Sequence, residues 1–333
     1  MIYKNFIIRT LSALTSKRLI LPFYHTISNK KLIHIKHLYN IRSEKEFKKD
    51  LDFFLSNYKP IDLYELIDIV NGNKKIKKNM FFLSFDDGLS EVYEVIAPIL
   101  KEKGVPTTIF LNSGFIDNKD LFFRYKASIL IEKIQNLKSA DKQLAEVEKI
   151  LKNKHWFNKN ICHSILKIGY EQKYILEKIA TIVQVDFKEY LKQYKPYLST
   201  EQIQKLIDDG FTIGSHSIVH PEYQYLELSE QIRQTKESID FITNNFNINY
   251  KAFAFPFTDY GVKKEFFEVI YNEHNPIIDI SFGTAGIKND VFVRNLQRIP
   301  VEEYNSNSKN IIIKEYINYI LKLIFYKTKI RRK

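Results

Sequence analysis

Residues 81–88 read FFLSFDDG, an apolar run that ends abruptly in two adjacent carboxylates and a glycine. From Met80 to Phe85 only Ser84 is polar, the pattern of a strand covered on both faces. Asp86 and Asp87 therefore fall where the chain leaves the core. They could form a hairpin turn, cap a helix or do chemistry. A hairpin needs a second alternating strand, but Val92, Ile96, Ile99 and Leu100 recur at helical spacing between Ser90 and Lys103, and Gly104 closes the segment. The order is strand, loop, helix, which leaves the capping and functional readings equally open.

Outward from this stretch, VPTTIFL at 105–111 is a second β-prone run directly after Gly104. Strand, helix and strand in about 30 residues make a βαβ unit, which implies parallel pairing. The loop 112–118 then belongs to the same sheet edge as Asp86 and Asp87. On the N-terminal side, Leu19 to Tyr24 reads as a strand ending at His25, with Pro22 placing it at an edge or a bulge. A histidine in that place is ordinarily structural. Ser43 caps a helix with Phe47, Leu51 and Phe54 on one stripe, and Leu63 to Val70 forms another.

Beyond the βαβ unit, residues from about 119 to 200 are rich in Lys, Glu, Leu and Ile and read as a helical insertion, opened by FFRYK with Arg124. The single tryptophan, Trp156, reads as a packing residue rather than a sugar platform. A capped helix over 199–209, closed by Gly210, leads into a strand at 211–215 that delivers His216 and His220 within FTIGSHSIVHP. Gly214, Pro221 and Ser217 argue against the helical pair of a zincin, which needs glutamate where Ser217 stands. Two imidazoles leaving a strand can still converge on a metal. Two unrelated loop histidines would look the same.

Composition removes other classes. The chain has 333 residues, 44% hydrophobic and 27% charged, which suits a soluble globular protein with a large core. No run of about 18 apolar residues could cross a membrane. The net charge of +12 is spread over polar helix faces and loops, without zinc-finger spacing, a helix-turn-helix signal or a basic stripe with interleaved aromatics, so no nucleic-acid partner is expected. Cys162 is the only cysteine, which rules out an internal disulfide. The N-terminus lacks a continuous apolar stretch, since Arg9, Lys17 and Arg18 interrupt it, and a cytoplasmic location is expected.

FDDG after one strand and HSxxHP after a later one, in that order, resemble the first two motifs of the polysaccharide deacetylases, the NodB-homology or family-four carbohydrate esterases. The resemblance implies a distorted (β/α) barrel of that type over 19–305, with the helical insertion at about 119–200. It implies that Asp86 is the catalytic base and that Asp87, His216 and His220 bind a divalent metal ion, with zinc the expected ion. FAFPFTDYG at 253–261 resembles the third motif, with Pro256 and Phe257 as substrate-binding candidates. Ala254 stands where the family usually has an arginine, and Arg124 is the residue considered as its substitute. The last candidate strand, LQRIPV at 296–301, brings no histidine. LPFYHTI at 21–27 instead resembles the opening of the circularly permuted branch that includes poly-N-acetylglucosamine deacetylases, which implies that His25 is the general acid.

The implied activity is metal-dependent removal of N-acetyl groups from an acetylated saccharide, whether polymeric, oligomeric or lipid-linked. An O-deacetylase and a non-catalytic saccharide binder of the same fold are the alternatives. The remaining segment, 306–333, reads as a basic amphipathic helix with Ile313, Ile317, Ile320 and Ile324 on its apolar stripe and KTKIRRK at its end. It is either a packing helix or a peripheral contact with the inner face of a membrane.

Overall fold

A computed structural model of the chain describes residues 6–138, 141–152, 154, 156–158, 160–302 and 306–332. The boundary expected at 305 and the last residue of the basic tail lie outside these residues. The chain divides into two compact units. One comprises the residues up to Asn29, Ile41–Asp117 and the chain from Tyr197 onward, and the other Lys30–Asn40 with Asn118–Pro196.

The first unit is built on eight parallel strands: β1 Pro22–Tyr24, β2 Leu83–Phe85, β3 Thr107–Leu111, β4 Thr212–Ser215, β5 Ala252–Ala254, β6 Ile280–Gly283, β7 Asn295–Gln297 and β8 Ile299–Pro300. Their spatial order is β7-β6-β5-β4-β3-β2-β1-β8. The two strands at the ends of that order are consecutive in the chain, and only Arg298 separates them. The sheet therefore curls into a nearly closed barrel, and one residue spans the seam. Register supports this: Gln297 lies opposite Gly283 on one side, and Ile299 lies opposite Pro22 on the other.

Parallel strands buried on both faces need mostly apolar sequence, and β2 with the residues before it provides it: Phe81 to Phe85 are all fully buried, with Ser84 the one polar residue. Aromatic rings fill the spaces, with Phe82 stacked on Phe282 at 5.4 Å and Tyr24 on Phe85 at 5.5 Å between centroids. The helix after β2 differs from a regular one. Residues Val92–Ile96 wind as a π-helix before the α-helix Ala97–Lys103, because the Ala97 N–H reaches back to the Val92 carbonyl and Pro98 offers no N–H at all. Gly104 ends it at φ +63°, as the sequence leads one to expect. The capping box of the helix Thr200–Asp208, with Ser199 and Gln202 exchanging bonds, fixes the approach to β4.

The second unit is helical, with Phe123–Gln135, Lys142–Lys152, Ile161–Leu166 and Tyr174–Val183 packed on one another and Phe187–Tyr194 following them in the chain. Trp156 donates from Nε1 to Gln172 Oε1 at 2.8 Å, the partner a half-buried indole needs.

The C-terminal helix, Ser308–Ile324, turns a different face inward from the isoleucine stripe that the sequence suggests. Ile311, Ile312, Tyr316 and Tyr319 are buried, whereas Ile317 and Ile324 are exposed. Tyrosine decides this. The Tyr316 ring is fully buried against the barrel's helices, while its hydroxyl donates to the Lys17 carbonyl at 2.9 Å. The helix Phe6–Thr15 packs beside it with Ile8 buried. No helix among the described residues is long and apolar enough to cross a membrane.

Candidate metal and acid–base site

In a parallel sheet every strand delivers its successor residues to the same edge. Here β1 leads to His25, β2 to Asp86 and Asp87, β4 to His216, β5 through Phe255 to Pro256 and Phe257, and β8 to Glu302.

Asp86 is buried, and its backbone N–H donates to the Tyr24 carbonyl at 2.9 Å. Arg298 grips its carboxylate with both arms, Nη1 to Oδ1 and Nη2 to Oδ2 at 2.7 Å each, and Nη1 also donates to Ser84 Oγ at 3.1 Å. The guanidinium is itself fully buried, 4.2 Å from the centre of the Phe23 ring. Burial alone would raise the carboxyl pKa of Asp86, but the Arg298 charge, with His216 and His25 behind it, outweighs that and holds it below the usual range. Asp86 is thus an ionised carboxylate that cannot swing away.

Asp87, His216 and His220 converge beside it, with one donor atom from each lying within 4.8 Å of the others. Asp87 Oδ1 is 3.3 Å from His220 Nε2 and 3.6 Å from His216 Nε2. An ion about 2.0–2.1 Å from each donor in a tetrahedral arrangement would set neighbouring donors about 3.4 Å apart, so these residues fit a zinc-sized cation. The tautomer fits too: His216 Nδ1 donates to the Ala254 carbonyl at 2.8 Å, which leaves the Nε2 lone pair for the metal. Burial pushes the His216 pKa down to about 4, so the imidazole is the neutral form a metal requires.

The backbone around this cluster is wound tightly. Asp87, Ser217, His220 and Phe257 all hold left-handed φ values between +55° and +71°. Gly88 follows Asp87 in the same region, and a Cβ there would meet Leu111 Cδ2 at 2.6 Å. The 112–114 loop is laced to 216–218 by Ser113 N–H to the Ser217 carbonyl and Gly114 N–H to the Ile218 carbonyl, and Asn112 donates to the His216 carbonyl. Gln234 accepts from Ile218 and Val219 on the other side.

His25 Nδ1 meets Glu302 Oε2 at 2.8 Å, and the same carboxylate accepts the backbone N–H groups of His25 and Thr26 at 2.8 and 3.0 Å. Burial would lower the imidazole pKa; the bond to Glu302 and the charges of Glu302, Asp87 and Asp86 raise it to about 9. His25 is therefore an imidazolium at neutral pH. Arg42 steadies the Glu302 segment by donating to the Val301 and Ser306 carbonyls.

Of the residues singled out in the sequence, His25, Asp86, Asp87, His216, His220, Pro256 and Phe257 follow strands of this edge, and the Phe257 ring stands 4.6 Å from that of His220. Arg124 is in the second unit, where it donates to the Leu166 carbonyl and lies 5.1 Å from the Phe123 ring centre. The arginine that serves Asp86 is Arg298. Ala254 contributes its carbonyl to His216 instead of a guanidinium to Asp86. Arg298 and Glu302 escape the sequence reading, although a lone arginine among the apolar residues of LQRIPV marks a charge directed into a core.

A parallel barrel with carboxylates and imidazoles gathered at the C-terminal edge of its strands defines an α/β-barrel enzyme. The chain belongs to the polysaccharide deacetylase family, whose model matches residues 73–266. It is accordingly a hydrolase acting on non-peptide carbon–nitrogen bonds. No curated protein sequence is similar enough to count as a relative. Among solved structures, the fold resembles the Streptococcus pyogenes deacetylase PplD in complex with acetate, at 15% identity and a TM-score of 0.56, over 88% of this chain and 96% of that one. It also resembles IcaB from Ammonifex degensii, at 14% identity and 0.54 over 90% and 96%, and a de-N-acetylase from Aggregatibacter actinomycetemcomitans, at 15% and 0.55 over 90% and 99%. The family match spans both aspartates and both metal-site histidines but stops short of His25, Arg298 and Glu302.

Proposed function

We propose that the protein hydrolyses the N-acetyl groups of an acetylated saccharide, with a divalent cation, zinc by the donor set, held by Asp87, His216 and His220. The observation that carries this reading is the pair of opposed contacts at one barrel edge: a carboxylate gripped by Arg298 and an imidazole bonded to the Glu302 carboxylate. When bound, the cation supplies Lewis acidity, lowering the pKa of a water and polarising the acetyl carbonyl. Asp86, locked in its ionised form, takes the proton from the attacking water. His25 gives its proton to the departing sugar nitrogen. An amine leaves poorly unless protonated, whereas an alcohol leaves more readily, so a built imidazolium favours amide over ester cleavage. Acetate and a free amino sugar are the products.

The test is acetate release from chitooligosaccharides and poly-N-acetylglucosamine by purified protein with its metal quantified. Release that stops on chelation and returns with zinc is expected. A metal-free protein that cleaves equally well would overturn the assignment. The cytoplasmic location is part of the same reading, and cell fractionation checks it. The buried Ile8 in the helix Phe6–Thr15 supports a first helix that works as part of the folded unit.

The acid also sets a pH limit. A raised histidine pKa stabilises the fold below about 6.5, the free value, and that contribution fades as pH climbs through about 9. Activity should fall over the same upper range as His25 loses its proton. Glu302→Gln should move this alkaline limb of kcat/KM to lower pH by one unit or more; an unmoved limb would remove His25 from the acid role.

A further inference from the structure

The last turn of the C-terminal helix and the residues after it leave a row of apolar side chains in water. Leu321, Leu323, Ile324, Phe325 and Tyr326 are all exposed, Ile324 and Phe325 at 66% and Tyr326 at 92%. Nothing in the packing of the helix needs them, because its opposite face already fills the core. The end of the row, Phe325 and Tyr326, lines a cleft of about 880 Å³ whose other walls carry Lys263, Lys288, Lys327, Lys329 and Arg331. None of these cations makes an ion pair with a described carboxylate. Burial and the nearby Lys322 charge push the Lys288 ammonium below its usual pKa, with the Glu315 carboxylate acting against them. The cleft has a rigid floor: Arg332 is clamped to the carboxylates of Asp259 and Asp290, and Asn289–Asp290 pairs with Lys329–Ile330 as a short parallel ladder.

We propose that this face docks on a bilayer of anionic phospholipid, the aromatic and aliphatic row entering the headgroup boundary while the cleft cations meet lipid phosphates. Apolar residues flanked by uncompensated Lys and Arg are what such a surface recognises. A second copy of the chain fits poorly, because a two-fold contact would set the same cations against themselves. Nucleic acid would leave Leu321, Leu323 and Ile324 unserved. The loop that brings Phe257 to His220 runs on through Thr258, Asp259 and Tyr260 into the cleft wall. If the deacetylase reading holds, docking therefore presents the site to saccharide carried at the membrane surface.

The experiment is co-sedimentation of the full chain with vesicles of phosphatidylcholine alone or mixed with phosphatidylglycerol, at low and high salt, and needs no catalytic readout. Binding to the anionic vesicles that falls with salt is expected. Lys327→Glu with Lys329→Glu should weaken it by more than tenfold, at roughly fivefold per cation, and Phe325→Ala with Tyr326→Ala by a similar factor. Equal partitioning to both vesicle types, or none, would overturn the proposal. So would a concentration-dependent dimer lost in the same variants, or capture of single-stranded nucleic acid in place of vesicles. All four substitutions are at exposed positions, so unchanged thermal melting separates lost binding from lost folding.

Discussion

Asp86→Asn is expected to keep the metal and lose turnover. Asparagine occupies the same volume and can still accept one hydrogen bond from Arg298, but it cannot take a proton from water. General-base catalysis is worth roughly 10²–10⁴-fold, so kcat should fall by about that factor or more, with metal content near that of the unaltered protein. His216→Ala should behave differently. It deletes a donor whose Nε2 faces Asp87 and whose Nδ1 is tied to Ala254, so metal and turnover should be lost together. Metal analysis beside single-turnover acetate release distinguishes the two. Equal metal loss in both variants would show that Asp86 and Asp87 do not divide the work as proposed.

Arg298→Gln carries the largest expected effect on stability. Removing one partner of a buried, doubly bonded ion pair strands the other charge, which costs about 3–5 kcal/mol. The sign of the pH dependence follows from Asp86. In the native chain its pKa lies below that of the free carboxyl, so its contribution to stability is present above about 3.9 and is lost as pH falls through the folded value. Without Arg298, only His216 and His25 oppose the effect of burial on the carboxyl, and its pKa rises. The deficit of the variant should therefore be greatest at neutral pH and shrink on acidification, and the acid limb of its residual activity should move to higher pH. Urea unfolding at two pH values reads the first effect. A constant deficit would mean that Arg298 serves the barrel seam and not the charge of Asp86.

Much of this site is legible in the chain because its parts are local. FDDG and HSIVH each follow a buried strand, and in a parallel barrel a residue just past a strand has only one place to go. Arg298 and Glu302 are harder to see because their partners are remote. Arg298 bonds a carboxylate 212 residues away, and Glu302 a histidine 277 residues away. They flank β8, a strand two residues long and too short to show alternation. The C-terminal helix misleads for another reason. A stripe counted in isoleucines ignores Tyr316 and Tyr319, whose rings bury more area and whose hydroxyls can be satisfied on the way in.

The position of Arg298 at the barrel seam has a consequence for how the protein is made. Synthesis proceeds from the N-terminus, so Asp86 leaves the ribosome long before the arginine that neutralises it, and the metal-site residues also emerge ahead of it. A nascent or prematurely terminated chain that stops short of residue 298 holds the proposed metal donors and base, yet lacks the guanidinium that pairs with Asp86. On the proposed roles, hydrolytic competence is expected to arrive only with the residues around β8.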